Sequence, residues 1–266
     1  MKTDFLTFGD SLTYGHELAD APHDSVLYGV LKPSQFAWPA LLGATKNLAV
    51  PGSSNEKIFR TVVRFCSYKG PYISKIGVQW TFLERWDFRH PILEDIVTIG
   101  HWSQGDKNKL SIENYPGFSG PGSLEQAQYD NFVNQFYKVI YSFEYGLLNL
   151  LQNIFYCQTF LDHKNIDYFM MLGSDLIIDN LFDYKADLVY NKEDNTRGYK
   201  ADSIVNNIIE IREFIDWSKF IFLEKTNRPY YSFLDMAKDN GDIGDHGHPL
   251  EDSHMKFADE LRRRIF

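Results

Sequence analysis

Hydrophobic positions along the chain fall into two patterns that alternate. Short apolar runs halted by glycine, proline or a hydroxyl residue predict buried strands. These are Asp4–Phe8 before Gly9, Asn47–Val50 before Pro51-Gly52, Ile73–Trp80 ending near Thr81, and Ile166–Leu172 before Gly173-Ser174-Asp175. Ser232-Phe233-Leu234, ahead of Asp235, is read as a fifth. Between them, helical spacing predicts helices over Gln35–Leu42, Glu56–Cys66 and Ile204–Phe214. The longest helix is marked by Phe132, Phe136, Ile140, Phe143, Leu147, Leu150, Ile154, Cys157 and Leu161, which follow steps of three and four. Such a stripe faces a core. Strands alternating with helices predict an α/β fold with a mostly parallel sheet covered on both faces, and chemistry at the carboxyl ends of its strands.

The segment Thr98–Ser123 interrupts the alternation with five glycines, two prolines, Trp102, Tyr115 and Phe118. It is too long for an ordinary connection and is read as a surface lid or substrate-facing insertion.

Composition narrows the classes of function. The 266 residues are 44% hydrophobic and 24% charged, which describes a folded globular chain and excludes a largely disordered one. With 27 basic and 36 acidic residues the formal charge is −9, and no dense Lys/Arg run is present. Both features argue against nucleic acid and anionic membrane as partners. The most apolar stretch, Val139–Leu161, contains Glu144, Asn149, Gln152 and Asn153, so no membrane span is expected. The apolar run after Lys2 is too short for a signal-peptide core, which predicts a cytoplasmic location. Cys66 and Cys157 are too few for a disulfide framework and are read as buried thiols. Aromatic residues make up 16% of the chain, more than the helical stripe accounts for, so some are expected to line a groove.

The sharpest chemical feature is Phe8-Gly9-Asp10-Ser11-Leu12-Thr13-Tyr14-Gly15, where the first strand gives way to a helix. A serine there presents its hydroxyl at the top of the sheet, with its own N–H available to an oxyanion. Serine is a poor nucleophile until a base takes its proton, so this reading needs a histidine oriented by a carboxylate. Near the other end of the chain, Asp245 and His248 lie three apart in Asp242-Ile243-Gly244-Asp245-His246-Gly247-His248-Pro249, close enough for such a pair. The same cluster admits a second chemistry, in which His246 and His248 with Asp242 or Asp245 bind a metal for hydrolysis.

Together these blocks resemble the SGNH or GDSL hydrolase family. The resemblance implies a three-layer α/β/α, flavodoxin-like domain with about five strands, spanning residues 1–266 as one unit. It implies a serine esterase, lipase or deacetylase that needs no cofactor. Gly9-Asp10-Ser11-Leu12 matches the family's first block and implies Ser11 as nucleophile. Asp245, His248 and Pro249 match its last block and imply His248 as general base with Asp245 as its orienter. Gly52, in Pro51-Gly52-Ser53-Ser54-Asn55, is similar to the glycine that supplies a second oxyanion N–H. The third block departs from the family: its asparagine position holds Gln79 or Thr81, depending on register. Trp80-Thr81 followed by Arg85 resembles a phage-encoded branch.

Asn55 and Arg85 are secondary candidates for the cleft. The alternatives are a helix N-cap for Asn55 and an ion pair with Glu84 or Asp87 for Arg85. The expected partner is a small-molecule or carbohydrate ester, with an acetylated sugar as first choice. The competing class is a non-catalytic carbohydrate-binding or virion-associated protein that keeps the hydrolase fold.

Overall fold

The structure, a computed structural model, describes residues 4–22, 32–69, 72–89, 96–100, 131–174, 188–191, 196–199, 203–225 and 228–266. The strands are β1 (Asp4–Phe8), β2 (Lys46–Asn47), β3 (Ile73–Trp80), β4 (Trp86–Arg89), β5 (Ile96–Ile99), β6 (Asp167–Leu172), β7 (Leu188–Asn191), β8 (Thr196–Tyr199), β9 (Leu223–Lys225) and β10 (Arg228–Tyr231). The α-helices are α1 (Ser11–Tyr14), α2 (Trp38–Leu41), α3 (Asn55–Lys69), α4 (Phe143–His163), α5 (Ile204–Phe214), α6 (Phe233–Asp239) and α7 (Glu251–Ile265).

Four strands form one parallel sheet in the order β2-β1-β3-β6. Thr7 of β1 pairs with Asn47 on one side and Gly77 on the other, and Gly77 pairs with Phe169 of β6. The other strands form three antiparallel pairs outside this sheet: β4 with β5, β7 with β8, and β9 with β10.

Side-chain alternation along the strands builds the layers. Leu6, Phe8, Ile76, Val78, Trp80, Met170 and Leu172 pack on one face against Ile58 and Val62 of α3, Leu147 and Ile154 of α4, and Ile208 of α5. Phe5, Phe169 and Met171 point to the opposite face, against Trp38 of α2, Phe233 of α6 and Phe257 and Leu261 of α7. Period-two strands thus meet helices on both sides, giving the expected three-layer α/β/α arrangement. Each fully buried side chain of the Leu or Phe class contributes about 1.5–3 kcal/mol.

Among the described residues the sheet has four strands, not five. Ser232-Phe233-Leu234 opens a helix: Ser232 N-caps α6, its hydroxyl accepting from Asp235 N–H. A Ser-x-x-Asp pair caps a helix as readily as it brackets a strand, which explains the misreading. The place beside β6 is marked instead by a single parallel bridge, Met170 with Phe220, and Ile221 N–H donates to Met170 O at 2.9 Å.

The long helix also departs from expectation. Ser142 N-caps α4 by accepting from Tyr145 N–H, and a π-helical turn, Phe136–Ile140, precedes the break. Leu147, Leu150, Ile154, Cys157 and Leu161 are buried as the stripe requires, but Phe132 and Ile140 are exposed. Of the predicted insertion, Thr98 and Ile99 belong to β5, and residues 101–123 lie outside the described residues. Among the described residues no helix is long and apolar enough to cross a membrane.

Candidate active site

In the order β2-β1-β3-β6 the chain steps from β1 to one side and then to the other, so the crevice at the carboxyl ends of β1 and β3 is the natural ligand position. Both serine-block and third-block residues arrive there. Asp10, fully buried, N-caps α1: its Oδ1 accepts Leu12 N–H at 3.0 Å. Ser11 is therefore the first residue of α1, and its N–H has no partner within the helix.

The second Asp10 oxygen organises the end of β3. Oδ2 accepts from Thr81 Oγ1 at 2.6 Å and from Arg85 Nη1 at 2.7 Å. Arg85 Nη1 also donates to Thr81 Oγ1 at 2.8 Å and to Ser53 O at 3.4 Å, and the guanidinium lies 4.7 Å from the centre of the Phe82 ring. Arg85 thus pairs with Asp10 rather than with Glu84 or Asp87; Asp87 is held by Arg60 at 2.5 Å. With side chains 9% and 1% exposed, the Arg85–Asp10 pair is a buried one.

Asn55 is buried and clasps the same strand end. Its Oδ1 accepts Thr81 N–H at 2.8 Å, and Nδ2 donates to Thr81 O at 3.3 Å and to Phe82 O at 3.5 Å. The cap of α3 is Ser54, whose hydroxyl accepts Lys57 N–H at 3.0 Å. Gln79 lies on the strand face opposite Trp80, where its Oε1 accepts from the Thr13 hydroxyl at 2.6 Å. The two third-block candidates are thus held within the frame of the site, Thr81 by Asp10 and Gln79 by Thr13. Gly52 is half-buried with φ 72°, a left-handed conformation that favours glycine, and its N–H makes no hydrogen bond to a described residue.

On the other side of the crevice, His248 takes a partner other than the expected one. Its Nδ1 lies 2.7 Å from Glu17 Oε2, which also accepts His248 N–H at 3.1 Å; Glu17 Oε1 accepts His246 N–H at 2.8 Å. Asp245 is exposed and makes no bond to the imidazole. A turn closes around it, with Gly247 N–H donating to Gly244 O. Partial burial alone would raise the Glu17 carboxyl, but the two backbone N–H groups and the imidazole hold it below the usual carboxylate range. A carboxylate only accepts, so Nδ1 carries the proton at this contact and Nε2 is the nitrogen left for other partners.

No hydrogen bond joins Ser11 Oγ to His248 among the described residues. The two are linked through the loop after α1: His16 N–H donates to Ser11 O at 3.1 Å, and the His16 ring packs on the His248 ring with centroids 4.5 Å apart.

The metal alternative does not assemble. Asp242 Oδ2 accepts Ser253 N–H at 2.5 Å in the first turn of α7, and among the described residues no three His, Cys, Asp or Glu side chains gather as ligands. His254 is also structural. It is fully buried, its Nδ1 accepts Trp38 N–H at 3.1 Å, and burial, with His248 nearby, depresses its pKa to about 3 against the raising effect of Pro249 O.

No family model matches the sequence, and no curated protein matches it. Among solved structures the chain is similar to the esterase EstA of Pseudoalteromonas sp., inhibited there by monoethylphosphonate, at 10% identity over 98% of this chain and 96% of that one, TM-score 0.43. It is also similar to a protein of Desulfitobacterium hafniense DCB-2 assigned to the G-D-S-L lipolytic family, at 13% identity over 99% of both chains, TM-score 0.38. The α/β fold rests on the sheet order and the two packed faces, and the site on its own residues.

Proposed function

We propose that the chain is a serine hydrolase of the SGNH/GDSL type that cleaves a carboxylic ester through an acyl-enzyme. The observation that carries this reading is the placement of Ser11 at the β1/β3 crevice together with a histidine, His248, whose Nδ1 is held by a carboxylate. Ser11 Oγ bonds to the acyl carbon while its proton passes to His248 Nε2. The carbonyl electron pair moves to oxygen, and the N–H groups of Ser11 and Gly52 stabilise that charge. As the intermediate collapses, the alkoxide leaves with the proton from Nε2; water then repeats the sequence on the acyl-enzyme and releases the acid. These steps use side chains and backbone alone.

The asparagine amide that the family uses as third oxyanion donor is replaced: Thr81 Oγ1 is committed to Asp10 and Gln79 Oε1 to Thr13, while Gln79 Nε2 has no partner among the described residues. Loss of one such donor lowers turnover about 10²–10³-fold, and slow turnover is the expected behaviour. An acetylated carbohydrate is the proposed substrate class, on the strength of the aromatic share of the chain.

One observation favours the second reading, a non-catalytic binding protein on the same fold: Ser11 Oγ and His248 share no hydrogen bond. Catalytic hydrogen bonds in unliganded enzymes are commonly long and tighten with substrate, which keeps the hydrolase reading first. A fluorophosphonate probe and an acetyl-ester panel separate the two. Labelling that disappears in Ser11→Ala supports the hydrolase; no labelling, or labelling unchanged in Ser11→Ala, defeats it.

A further inference from the structure

We infer that Glu17 is the positioning residue of His248, in the role that the family resemblance gives to Asp245; the inference rests on the serine-hydrolase reading. Glu17 sits six residues beyond Ser11, in the loop that follows α1, so the carboxylate and the nucleophile arrive on one short segment while the histidine comes from the far end of the chain. Three contacts tie that loop to the histidine turn. Both carboxylate oxygens take backbone N–H groups, from His246 and His248, and Oε2 also meets Nδ1 at 2.7 Å. Two backbone bonds fix the carboxylate before it touches the ring, which is how an orienting group is held rigid.

Two further features fit a built site. Glu17 adopts φ 72°, a conformation uncommon for a residue with a side chain and found where surrounding structure imposes it. Gly244 leaves room for it: a Cβ there would lie 2.8 Å from Glu17 Oε1 and 2.9 Å from its Cδ. The Glu17 side chain is 8% exposed and His248 17%, whereas Asp245 stands in solvent. A shielded carboxylate orients an imidazole more strongly than a hydrated one because its charge is less screened. The His16 ring packs on His248, and His254 interacts with it electrostatically.

The test compares wild type, Glu17→Gln, Gly244→Ala and Asp245→Asn by hydrolysis of an activated acetyl ester across pH and by proton NMR of the imidazole Nδ1–H. The inference predicts a downfield Nδ1 proton resonance that moves upfield or vanishes in Glu17→Gln and persists in Asp245→Asn. It also predicts a kcat loss of about 10³–10⁴-fold in Glu17→Gln, the scale for an orienting carboxylate, with Asp245→Asn within about threefold of wild type. Should Glu17→Gln fail to fold, Gly244→Ala displaces the carboxylate without removing it and should perturb the same resonance. A resonance unmoved by Glu17→Gln, or lost in Asp245→Asn, overturns the inference. Absence of Ser11 labelling in wild type would instead overturn the hydrolase reading, and the NMR arm would still decide the Glu17–His248 contact.

Discussion

Thr81 Oγ1 donates to Asp10 Oδ2 at 2.6 Å, so the hydroxyl at the end of β3 braces the aspartate beside the nucleophile. Arg85 completes the brace, donating to both groups and to Ser53 O. Thr81 and Arg85 thus join the strand ends of β1 and β3 to the loop before α3.

Breaking this brace on one side should cost more than removing both charges. Arg85→Met leaves Asp10 buried without its cation, a loss of about 3–5 kcal/mol. The double variant Asp10→Asn/Arg85→Met leaves no buried charge, and its destabilisation should fall short of the sum of the single losses by at least about 1 kcal/mol. Urea unfolding of the four proteins measures this, and additive losses would refute the coupling.

Much of the frame was legible in the sequence, and the physical reason is locality. β1, β3 and α5 follow runs whose period and stop signals are contained in a few neighbouring residues. Ser11 and His248 stand out in the sequence because their blocks are contiguous. Glu17 does not, because its partner lies 231 residues away and nothing in Gly15-His16-Glu17 marks the backbone turn that aims it. The same limit hid the Arg85–Asp10 pair, 75 residues apart, behind nearer acids of equal charge. Ser142 and Ser232 failed in the opposite direction: their capping roles are local, but apolar spacing through them was the louder signal.

Gly244→Ala probes the room around the Glu17 carboxylate without touching a charge. Gly244 is not in the left-handed region, so alanine suits its backbone and stability should change by less than about 1 kcal/mol. The new Cβ meets the carboxylate end of Glu17 and must push it away from His248. A misplacement on the order of 1 Å costs about 10²-fold in turnover. Ester hydrolysis at unchanged melting temperature checks this; wild-type kcat would show that the carboxylate position is immaterial.

Asn55 clasps the end of β3, and its variants should show what the clasp contributes. Asn55→Ala strands Thr81 N–H in a buried position at a cost of about 1–3 kcal/mol. Asn55→Asp keeps the acceptor but sets a carboxylate against Thr81 O and Phe82 O, where Nδ2 now donates, and should be less stable than Asn55→Ala. Thermal melts rank the pair. An Asn55→Asp protein as stable as wild type would contradict the clasp.

Acid should unfold the protein partly through His254. Its imidazole is neutral in the fold, with a pKa held near 3 by burial, whereas an unfolded histidine titrates near 6.5. Between those values the unfolded chain binds more protons, so stability linked to His254 is intact above pH 6.5 and declines as pH falls towards 3. At pH 4.5 the loss is roughly 2–3 kcal/mol. Glu17, with its carboxyl held low, keeps its contribution above the ordinary glutamate pKa and loses it as pH falls from there through its lowered value. His254→Gln should be less stable than wild type at pH 7, since the ring that packs on Phe233 and accepts from Trp38 N–H is replaced, yet its decline from pH 7 to 4.5 should be shallower by that amount. Urea midpoints at the two pH values test this, and parallel declines in both proteins would rule out His254 as the source.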